Sequence, residues 1–300
     1  MKVLITGANG QLGSELQRII EGGRAEIGSI PSAYTGAQVV LTDAAELDIT
    51  DAAAVNAEIA KGFDLVVNAA AYTDVDGCEA RPGLAWAVNA QGPANLASAC
   101  RAHGAKLVQV STDYVFPGSD GSRPRREDDP TAPISAYGRS KRAGELAVEL
   151  LCPESFIVRT AWLYGYVGKN FVKTMKRLGE SHDRINVVDD QVGNPTSAND
   201  LAYEILTLAA GEGFGTYHCT NEGVCSWADF ASAIMEGFGL DCAVIPVTSA
   251  QYKEANPASA DRPAYSALEN AHLAATVGNR MRPWREALTT YIKNFDSLEG

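Results

Sequence analysis

The sequence predicts an α/β protein with a doubly wound parallel sheet, followed by a smaller C-terminal domain that is interleaved with it. Short β-branched apolar runs alternate with segments of helical periodicity from residue 2 to about residue 165. This alternation is typical of a parallel sheet with helices on both faces. Beyond Gly165 the pattern loosens into shorter strands, turns and helices. We therefore expect a first domain over residues 1–165 and a second mainly over residues 166–300.

A glycine-rich turn follows the first predicted strand. The apolar run at residues 2–6 leads into Gly7, Gly10 and Gly13, and then into a segment with helical apolar spacing. Strand, glycine turn and helix in this order form a dinucleotide site, because glycines let the backbone approach the pyrophosphate and the helix N-terminus holds its charge. We therefore predict a Rossmann-type domain whose glycines bind a cofactor. The alternative is a tight strand-to-helix connection without a ligand.

The second predicted strand, at residues 38–42, ends at Asp43. An acidic residue at this strand end typically accepts hydrogen bonds from the adenosine ribose. It lies 36 positions after Gly7, which is longer than the usual ~20, so we interpret residues 22–36 as an inserted loop. Asp43 as a surface carboxylate stays an alternative, and the sequence does not decide between NADH and NADPH.

Two further strands lead toward the same edge of the sheet. The strand at residues 63–71 ends in Ala69, Ala70 and Ala71, which form a flat floor for a nicotinamide-adenine cofactor. The strand at residues 106–110 is followed by Thr112. Ligands bind outside the carboxyl ends of parallel strands, so we expect the Thr112 hydroxyl to reach both a substrate carbonyl and Tyr137. Asn89, on a helix between these strands, is interpreted as a satisfied helix–helix hydrogen bond.

A tyrosine and a lysine stand four residues apart in the segment that opens the next helix. Tyr137 and Lys141 therefore share one helix face. A free tyrosine has a pKa near ~10, and a fixed positive charge nearby lowers it toward the working range. The pair predicts a general acid with its tuning cation. The alternative is a chance spacing on a surface helix.

The composition excludes several classes of protein. The net charge of −12 argues against a nucleic-acid partner and against an anionic membrane surface. No apolar run approaches the ~18 residues of a membrane span, and the first seven residues leave no room for a signal peptide. The six cysteines show no Cys-x-x-Cys and no clustering with the four histidines. We expect a cytoplasmic protein with reduced thiols.

Taken together, the glycine turn, the strand end at residues 68–71, Thr112 and the Tyr137–Lys141 pair resemble the extended short-chain dehydrogenase/reductases that act on nucleotide sugars. A narrower resemblance, over essentially the whole chain, is to the dTDP-4-dehydrorhamnose reductase family. It is carried, in order, by the segments at residues 111–116, 159–164, 170–171, 190–196, 215–218 and 262–268.

This resemblance implies that NADPH or NADH reduces the 4-keto group of dTDP-4-dehydro-β-L-rhamnose to give dTDP-β-L-rhamnose. It also implies that Tyr137 gives a proton to the developing alkoxide and that Thr112 hydrogen-bonds the same oxygen. Lys141 is expected to lower the tyrosine pKa and to bind the nicotinamide ribose. These are general-acid and oxyanion-stabilising roles.

The same resemblance assigns binding residues. The pyrophosphate is expected on Gly10, Gln11 and Leu12, and the cofactor lies over residues 69–71. The adenosine end of the cofactor is expected near Asp43, Asp48 and Ile49. The sugar of the substrate is expected to contact Asp113 and Trp162, and its diphosphate is expected to face Arg262. Core packing is the alternative for Trp162.

Some members of the family hold Mg²⁺ between subunits with carboxylates. The matching positions here are Glu15, Asn199 and Asn294. Amides are poor ligands for this hard cation, so we predict no such metal site. The choice between a monomer and a homodimer stays open.

Other activities on the same fold were weighed. A dehydratase needs an acid after Thr112 and Asp113, and Tyr114 stands there instead. An epimerase, and a reductase of another 4-keto-6-deoxy nucleotide sugar, stay open. A non-catalytic regulatory subunit is disfavoured, because Tyr137, Lys141 and Thr112 are all intact.

Overall fold

A computed structural model describes residues 1–119, 121 and 123–298 of the chain. Along the chain the strands are β1 (Lys2–Thr6), β2 (Arg24–Ala25), β3 (Gly28–Ser29), β4 (Gln38–Thr42), β5 (Leu65–Asn68), β6 (Lys106–Thr112), β7 (Ser155–Thr160), β8 (Leu163–Tyr164), β9 (Arg184–Val188), β10 (Val192–Gly193), β11 (Thr196–Ser197), β12 (Gly215–His218), β13 (Cys225–Ser226) and β14 (Ala243–Val247). Six of them form a parallel sheet in the order β12-β7-β6-β5-β1-β4. The predicted doubly wound parallel sheet is therefore confirmed.

Helices cover this sheet and build the rest of the molecule. They are α1 (Gln11–Gly22), α2 (Ala52–Ile59), α3 (Val75–Ala80), α4 (Pro82–Trp86), α5 (Gly92–His103), α6 (Ala136–Leu151), α7 (Phe171–Gly179), α8 (Ala198–Ala209), α9 (Trp227–Phe238), α10 (Ser249–Ala255), α11 (Ala271–Thr276) and α12 (Trp284–Leu298). Among the described residues, no helix is both long enough and apolar enough to cross a membrane.

The strands of the central sheet alternate their side chains between two apolar layers, as a pleated strand requires. In β1, Val3 and Ile5 belong to the layer that contains Leu201 of α8. Leu4, between them, belongs to the opposite layer with Leu96 of α5. Because both faces are covered, the carboxyl ends of the strands are the open edge of the sheet, where ligands bind.

Residues 22–36, interpreted above as an inserted loop, form the short antiparallel hairpin β2–β3 and a 3-10 turn. Tyr34 in that turn is buried, and its hydroxyl donates to the carbonyl of Leu206 at 3.0 Å. The insertion is therefore fastened to α8 rather than left on the surface.

A second apolar cluster packs the parallel pair β9–β14 against α7, α9 and α12. Its largest buried side chains include Tyr164, Phe230, Tyr291 and Phe295. Two elements that follow residue 165 belong to the central sheet and its layers, since β12 joins the sheet and α8 packs on it. The division at residue 165 stays a prediction.

All six cysteines are buried and unpaired thiols. Burial raises the pKa of several of them, including Cys78, whose pKa rises to about 11. They serve as packing residues, as expected.

Candidate active site

A cleft of about 550 Å³ lies at the carboxyl ends of the central strands. The structure brings most of the predicted site residues to its walls. These are Gly7, Gly10, Gln11, Leu12, Gly13, Ala69, Ala71, Thr112, Asp113, Tyr137, Lys141, Trp162 and Arg262. Asp43, Asp48, Ile49 and Ala70 lie outside this lining.

The glycine turn has the geometry of an anion site. Gly7 has φ +68°, and a methyl group there would lie 2.6 Å from the backbone nitrogen of Ala70. Gly10 precedes α1 without a side-chain cap, and the first turn of α1 contains no acidic residue. The N–H groups at this helix end therefore point toward the cleft without a competing carboxylate, which fits a bound pyrophosphate.

The residues predicted for the adenosine end differ in their surroundings. Asp43 lies beside the glycine turn, where its carboxylate accepts a hydrogen bond from the backbone of Asn9 at 3.1 Å. Asp48 accepts two hydrogen bonds from Thr50, and these lower its pKa. Ile49 is buried in the core. Contact of Asp48 and Ile49 with an adenosine stays a prediction.

Helix α6 delivers Tyr137 and Lys141 to the cleft. It begins after Ser135, whose hydroxyl accepts from the backbone of Gly138 at 3.1 Å. Such N-caps fix where a helix starts, so the side chains of Tyr137 and Lys141 are set in its first two turns. Both are buried, with 9% of Tyr137 and 4% of Lys141 exposed, although they face the cleft.

Asn89 helps to seat this helix. Its side chain accepts from the backbone nitrogen of Tyr72 at 2.9 Å and donates to the carbonyl of the same residue and to Ser140 of α6. The interpretation of Asn89 as a satisfied structural hydrogen bond is therefore confirmed.

Burial dominates the protonation of the catalytic candidates. It raises the pKa of Tyr137, while the hydrogen bond with Thr112 lowers it by less. Lys141 donates to the carbonyl of Val110 at 2.6 Å, and burial lowers its pKa to about 8. Loss of solvation therefore outweighs the lowering effects around the phenol, and the role of Lys141 in lowering the tyrosine pKa stays a prediction.

Asp113 follows Thr112 directly after β6 and lines the same cleft. Thr112 donates to its carboxylate at 3.0 Å. Burial raises the pKa of Asp113 to about 6, against smaller lowering effects of hydrogen bonds from Ser266 and Thr112. A carboxyl group with this pKa accepts or donates a hydrogen bond according to pH.

Aromatic residues form the other wall. The rings of Trp162 and Trp227 stack with centroids 3.5 Å apart and planes 8° apart. Trp162 has φ +46°, the single positive value at a non-glycine position in the described chain. Such a backbone conformation costs about 1–3 kcal/mol and persists where the surroundings impose it. Trp162 is therefore held in place as part of the cleft wall.

Arg262 links this cleft to a second cavity of about 860 Å³. Phe171 and Trp227 also line both spaces. One guanidinium nitrogen of Arg262 lies 3.6 Å from the carboxylate of Asp76, and Arg262 hydrogen-bonds the hydroxyl of Tyr114. The two cavities together provide space for a ligand that extends beyond the reacting carbon.

Three further residues line the cleft that were not predicted from the sequence, namely Lys169, Phe171 and Trp227. Trp227 carries a weak local signal, since Ser226 and Asp229 form a capping box that begins α9. Nothing local indicates that its ring faces Trp162. That proximity arises from the pairing of β10 with β13.

The positions matched to a magnesium site do not fit a metal. The carboxylate of Glu15 accepts from Arg18 at 2.5 Å and from the amide of Asn199 at 2.8 Å. Asn294 instead contacts Glu26. A guanidinium and an amide N–H donor cannot serve as ligands of a cation. The described residues contain no group of three or more His, Cys, Asp or Glu side chains with metal-binding proximity.

The glycine turn on a parallel sheet and the grouping of Tyr137, Lys141 and Thr112 in one cleft define a Rossmann-type protein of the short-chain dehydrogenase/reductase class. The chain belongs to the family described as RmlD substrate binding domain, which matches residues 1–297. The family predicted from the motifs is therefore confirmed.

Similar proteins match nearly the whole length of the chain. A dTDP-4-dehydrorhamnose reductase of Mycobacterium tuberculosis is 46% identical over 97% of this chain and 92% of its own length. The crystal structure of a dTDP-4-dehydrorhamnose reductase from Clostridium acetobutylicum superposes with a TM-score of 0.91 at 46% identity, covering 99% of this chain and all of the other. The enzyme from Bacillus anthracis, solved in complex with NADP, has a TM-score of 0.89 at 39% identity, covering 98% of this chain and 99% of the other.

Proposed function

We propose that this protein is a dTDP-4-dehydrorhamnose reductase, which reduces the 4-keto group of dTDP-4-dehydro-β-L-rhamnose to give dTDP-β-L-rhamnose. The observation that carries the proposal is the grouping of Tyr137, Thr112 and Lys141 beside the glycine turn, in a chain of this family. A proton donor and a cofactor-binding turn in one cleft suit carbonyl reduction by hydride transfer.

The cofactor is held by the glycine turn and by the floor at Ala69 and Ala71. When bound, NADPH or NADH supplies the hydride. The fit is supported by the uncapped end of α1 and by the close approach of Gly7 to Ala70, where no side chain fits. Asp43 lies beside the turn and binds the adenosine ribose.

Tyr137 is the general acid. Because burial raises its pKa, the phenol is protonated at neutral pH and holds a proton for the alkoxide that forms at the substrate carbon. Thr112 orients the phenol, and its single hydroxyl proton turns from the carboxylate of Asp113 to donate to the same oxygen. A donor held this close stabilises the negative charge as it develops on that oxygen.

Lys141 balances the charge left on Tyr137. With a pKa of about 8 it is mainly charged at neutral pH, and one of its three N–H groups donates to the carbonyl of Val110. The others bind the nicotinamide ribose and stabilise the phenolate after proton transfer.

The substrate extends from the cleft into the larger cavity. Trp162 and Asp113 contact the deoxysugar, and Arg262 opposes the diphosphate in place of its ion pair with Asp76. Phe171 and Tyr252, which line the larger cavity, provide apolar surface for the nucleoside.

The protein acts in the cytoplasm on a small-molecule substrate, as a monomer or a homodimer, without a nucleic-acid partner. The net charge of −12 supports the absence of polyanionic partners.

The proposal is tested by following NADPH and NADH oxidation with dTDP-4-dehydro-L-rhamnose and identifying the product by mass and NMR. Stoichiometric formation of dTDP-rhamnose is expected, and the ratio of the two kcat/KM values defines the cofactor preference beside Asp43. Turnover confined to a different 4-keto-6-deoxy nucleotide sugar assigns that substrate instead. No oxidation of either cofactor by folded protein contradicts the proposal and favours a regulatory subunit.

A further inference from the structure

The stacked pair of Trp162 and Trp227 has one strained member and one firmly held member. Trp162 has the positive φ, and its carbonyl accepts a hydrogen bond from the backbone of Thr196 at 3.2 Å. Its ring is parallel to that of Trp227 at 3.5 Å. A strained conformation persists only when its surroundings determine it, so the neighbours of Trp162 decide where its ring lies.

Trp227 is fixed by the start of its helix. It is the first residue of α9, directly after Ser226, whose hydroxyl accepts from the backbone of Asp229 at 3.0 Å. The carboxylate of Asp229 accepts in return from the backbone of Ser226 at 3.1 Å, and Ser226 also donates to Asp189 at 2.6 Å. Phe171 packs on the Trp227 ring at 4.5 Å between centroids. The ring of Trp227 is therefore a rigid surface.

Gly193 leaves the space that the Trp162 ring fills. A methyl group at Gly193 would lie 2.6 Å from the Cε2 atom of Trp162. Gly193 pairs with Cys225 in the short ladder that leads directly into Trp227. The same ladder thus places both Gly193, which has no side chain, and the indole of Trp227 against the Trp162 ring.

This assembly stands at the boundary between the two cavities. Trp162 and Trp227 line the cleft together with Tyr137 and Thr112, and Trp227 also lines the larger cavity. Gly193 lines neither space. A ligand that spans both cavities must pass the indole wall next to its reacting carbon.

We propose that Trp227 is a positioning residue, which holds the Trp162 ring against the sugar of the substrate while Gly193 leaves room for that ring. This inference rests on the proposed function. Because the wall contacts the sugar before and during reduction, losing its position weakens substrate binding more than it slows the chemical step. The cofactor lies on the glycine turn and is bound without this wall.

The test compares Trp227→Ala, Trp227→Phe and Gly193→Ala with the wild-type protein. Trp227→Ala and Gly193→Ala are expected to raise the sugar KM about tenfold, the factor that corresponds to losing one aromatic stacking contact. The KM for the cofactor and kcat stay within about twofold, since only binding shared by ground and transition states is lost. Trp227→Phe keeps a flat ring and is expected to restore most of the affinity.

A spectroscopic signature reports the stack directly. Two indoles stacked at 3.5 Å couple electronically and give an exciton couplet in circular dichroism where their in-plane transition dipoles are not aligned. Trp227→Ala, Trp227→Phe and Gly193→Ala are expected to abolish or weaken this couplet. Trp86→Phe is the matched control, because Trp86 is 56% exposed and lies outside both cavities. In a Trp162→Ala background, Trp227→Ala is expected to add less than about twofold to the sugar KM, because residues that act as one unit are not additive.

Three outcomes overturn the inference. They are an unchanged sugar KM in folded Trp227→Ala, a full effect of Trp227→Ala in the Trp162→Ala background, and a couplet that persists in Trp227→Ala. If Trp227→Ala fails to fold, Gly193→Ala and Trp227→Phe decide the question by the same criteria. Failure of the proposed function is distinguishable, since the wild-type protein then shows no turnover. The loss or persistence of the couplet in Trp227→Ala and Gly193→Ala then decides the inference.

Discussion

The carboxylate of Glu145 accepts two hydrogen bonds of 2.9 Å from the guanidinium of Arg159, and both side chains are buried. Glu145 lies one helical turn after Lys141, so this ion pair ties the helix with the reactive side chains to strand β7. Arg159 also packs over the ring of Phe116 at 5.2 Å from its centroid. The rotation of α6, and with it the direction of Tyr137, depends on this contact.

Glu145→Gln is expected to lower the free energy of unfolding by about 3–5 kcal/mol, because it leaves the Arg159 charge buried without its partner. Urea unfolding at pH 7.5 measures the change. Glu149→Gln on the same helix is the matched control, since the Glu149 side chain is 40% exposed and bonds Arg142 at 3.0 Å. It is expected to change stability by less than about 1 kcal/mol. Equal effects of the two substitutions contradict this account of the helix.

Thr112→Val keeps the β-branched shape but removes the hydroxyl that hydrogen-bonds Tyr137 and Asp113. We expect kcat to fall by about 10²–10³-fold, the usual effect of removing one donor to a developing oxyanion. Steady-state kinetics with saturating cofactor measure it. Thr112→Ser retains a hydroxyl and is expected to recover most of the rate. A Thr112→Val enzyme with wild-type kcat excludes the proposed role.

The buried imidazole of His218 makes stability depend on pH. Burial and the charge of Arg159 lower its pKa to about 3, against ~6.5 in the unfolded chain. Between these values the unfolded state binds the extra proton, so stability rises with pH across this window and falls on acidification. This one group changes the free energy of unfolding by ~1.4 kcal/mol per pH unit within the window.

Urea titrations of the wild-type protein and of His218→Gln at pH 7.5 and pH 5 test this dependence. The wild-type protein is expected to lose more stability between the two values than the variant does. His103→Gln is the control, because His103 is exposed. Identical pH dependence of the wild-type protein and His218→Gln contradicts the assignment.

The contacts of Glu15 with Arg18 and Asn199 predict that activity does not require a divalent cation. Treatment with EDTA and then addition of Mg²⁺ are expected to leave kcat, KM and the mass in solution unchanged. Light scattering and kinetics on the same sample measure both. A cation-dependent dimer overturns the prediction that this position holds no metal.

Local signals in the sequence were sufficient to predict the parallel sheet and to place Tyr137 and Lys141 on one helix. The run from Lys2 to Gly13 defines strand, turn and helix within one segment, and the four-residue spacing of Tyr137 and Lys141 defines a shared helix face. Both depend on residues close together in the chain, where periodicity and turn chemistry act directly.

Features that depend on tertiary packing were not predicted. The rings of Trp162 and Trp227 come together through a strand pairing, and Glu145 meets Arg159 across a helix and a strand. The burial that raises the Tyr137 pKa was also not predicted, because burial is a property of the folded chain and not of the Tyr137–Lys141 spacing. Nothing in the local sequence indicates why residue 193 is a glycine. The fold supplies the reason, because the Trp162 ring lies where a side chain at this position would be.

The central claim is that Tyr137 protonates the carbonyl oxygen during reduction. Single-turnover NADPH oxidation with dTDP-4-dehydro-L-rhamnose, in the wild-type protein and in Tyr137→Phe, tests it most directly. Tyr265→Phe is the control, since Tyr265 is half-buried and lines neither cavity. Tyr137→Phe is expected to bind the sugar with unchanged affinity and to reduce it about 10²–10⁴-fold more slowly. Reduction by Tyr137→Phe at the wild-type rate contradicts the claim.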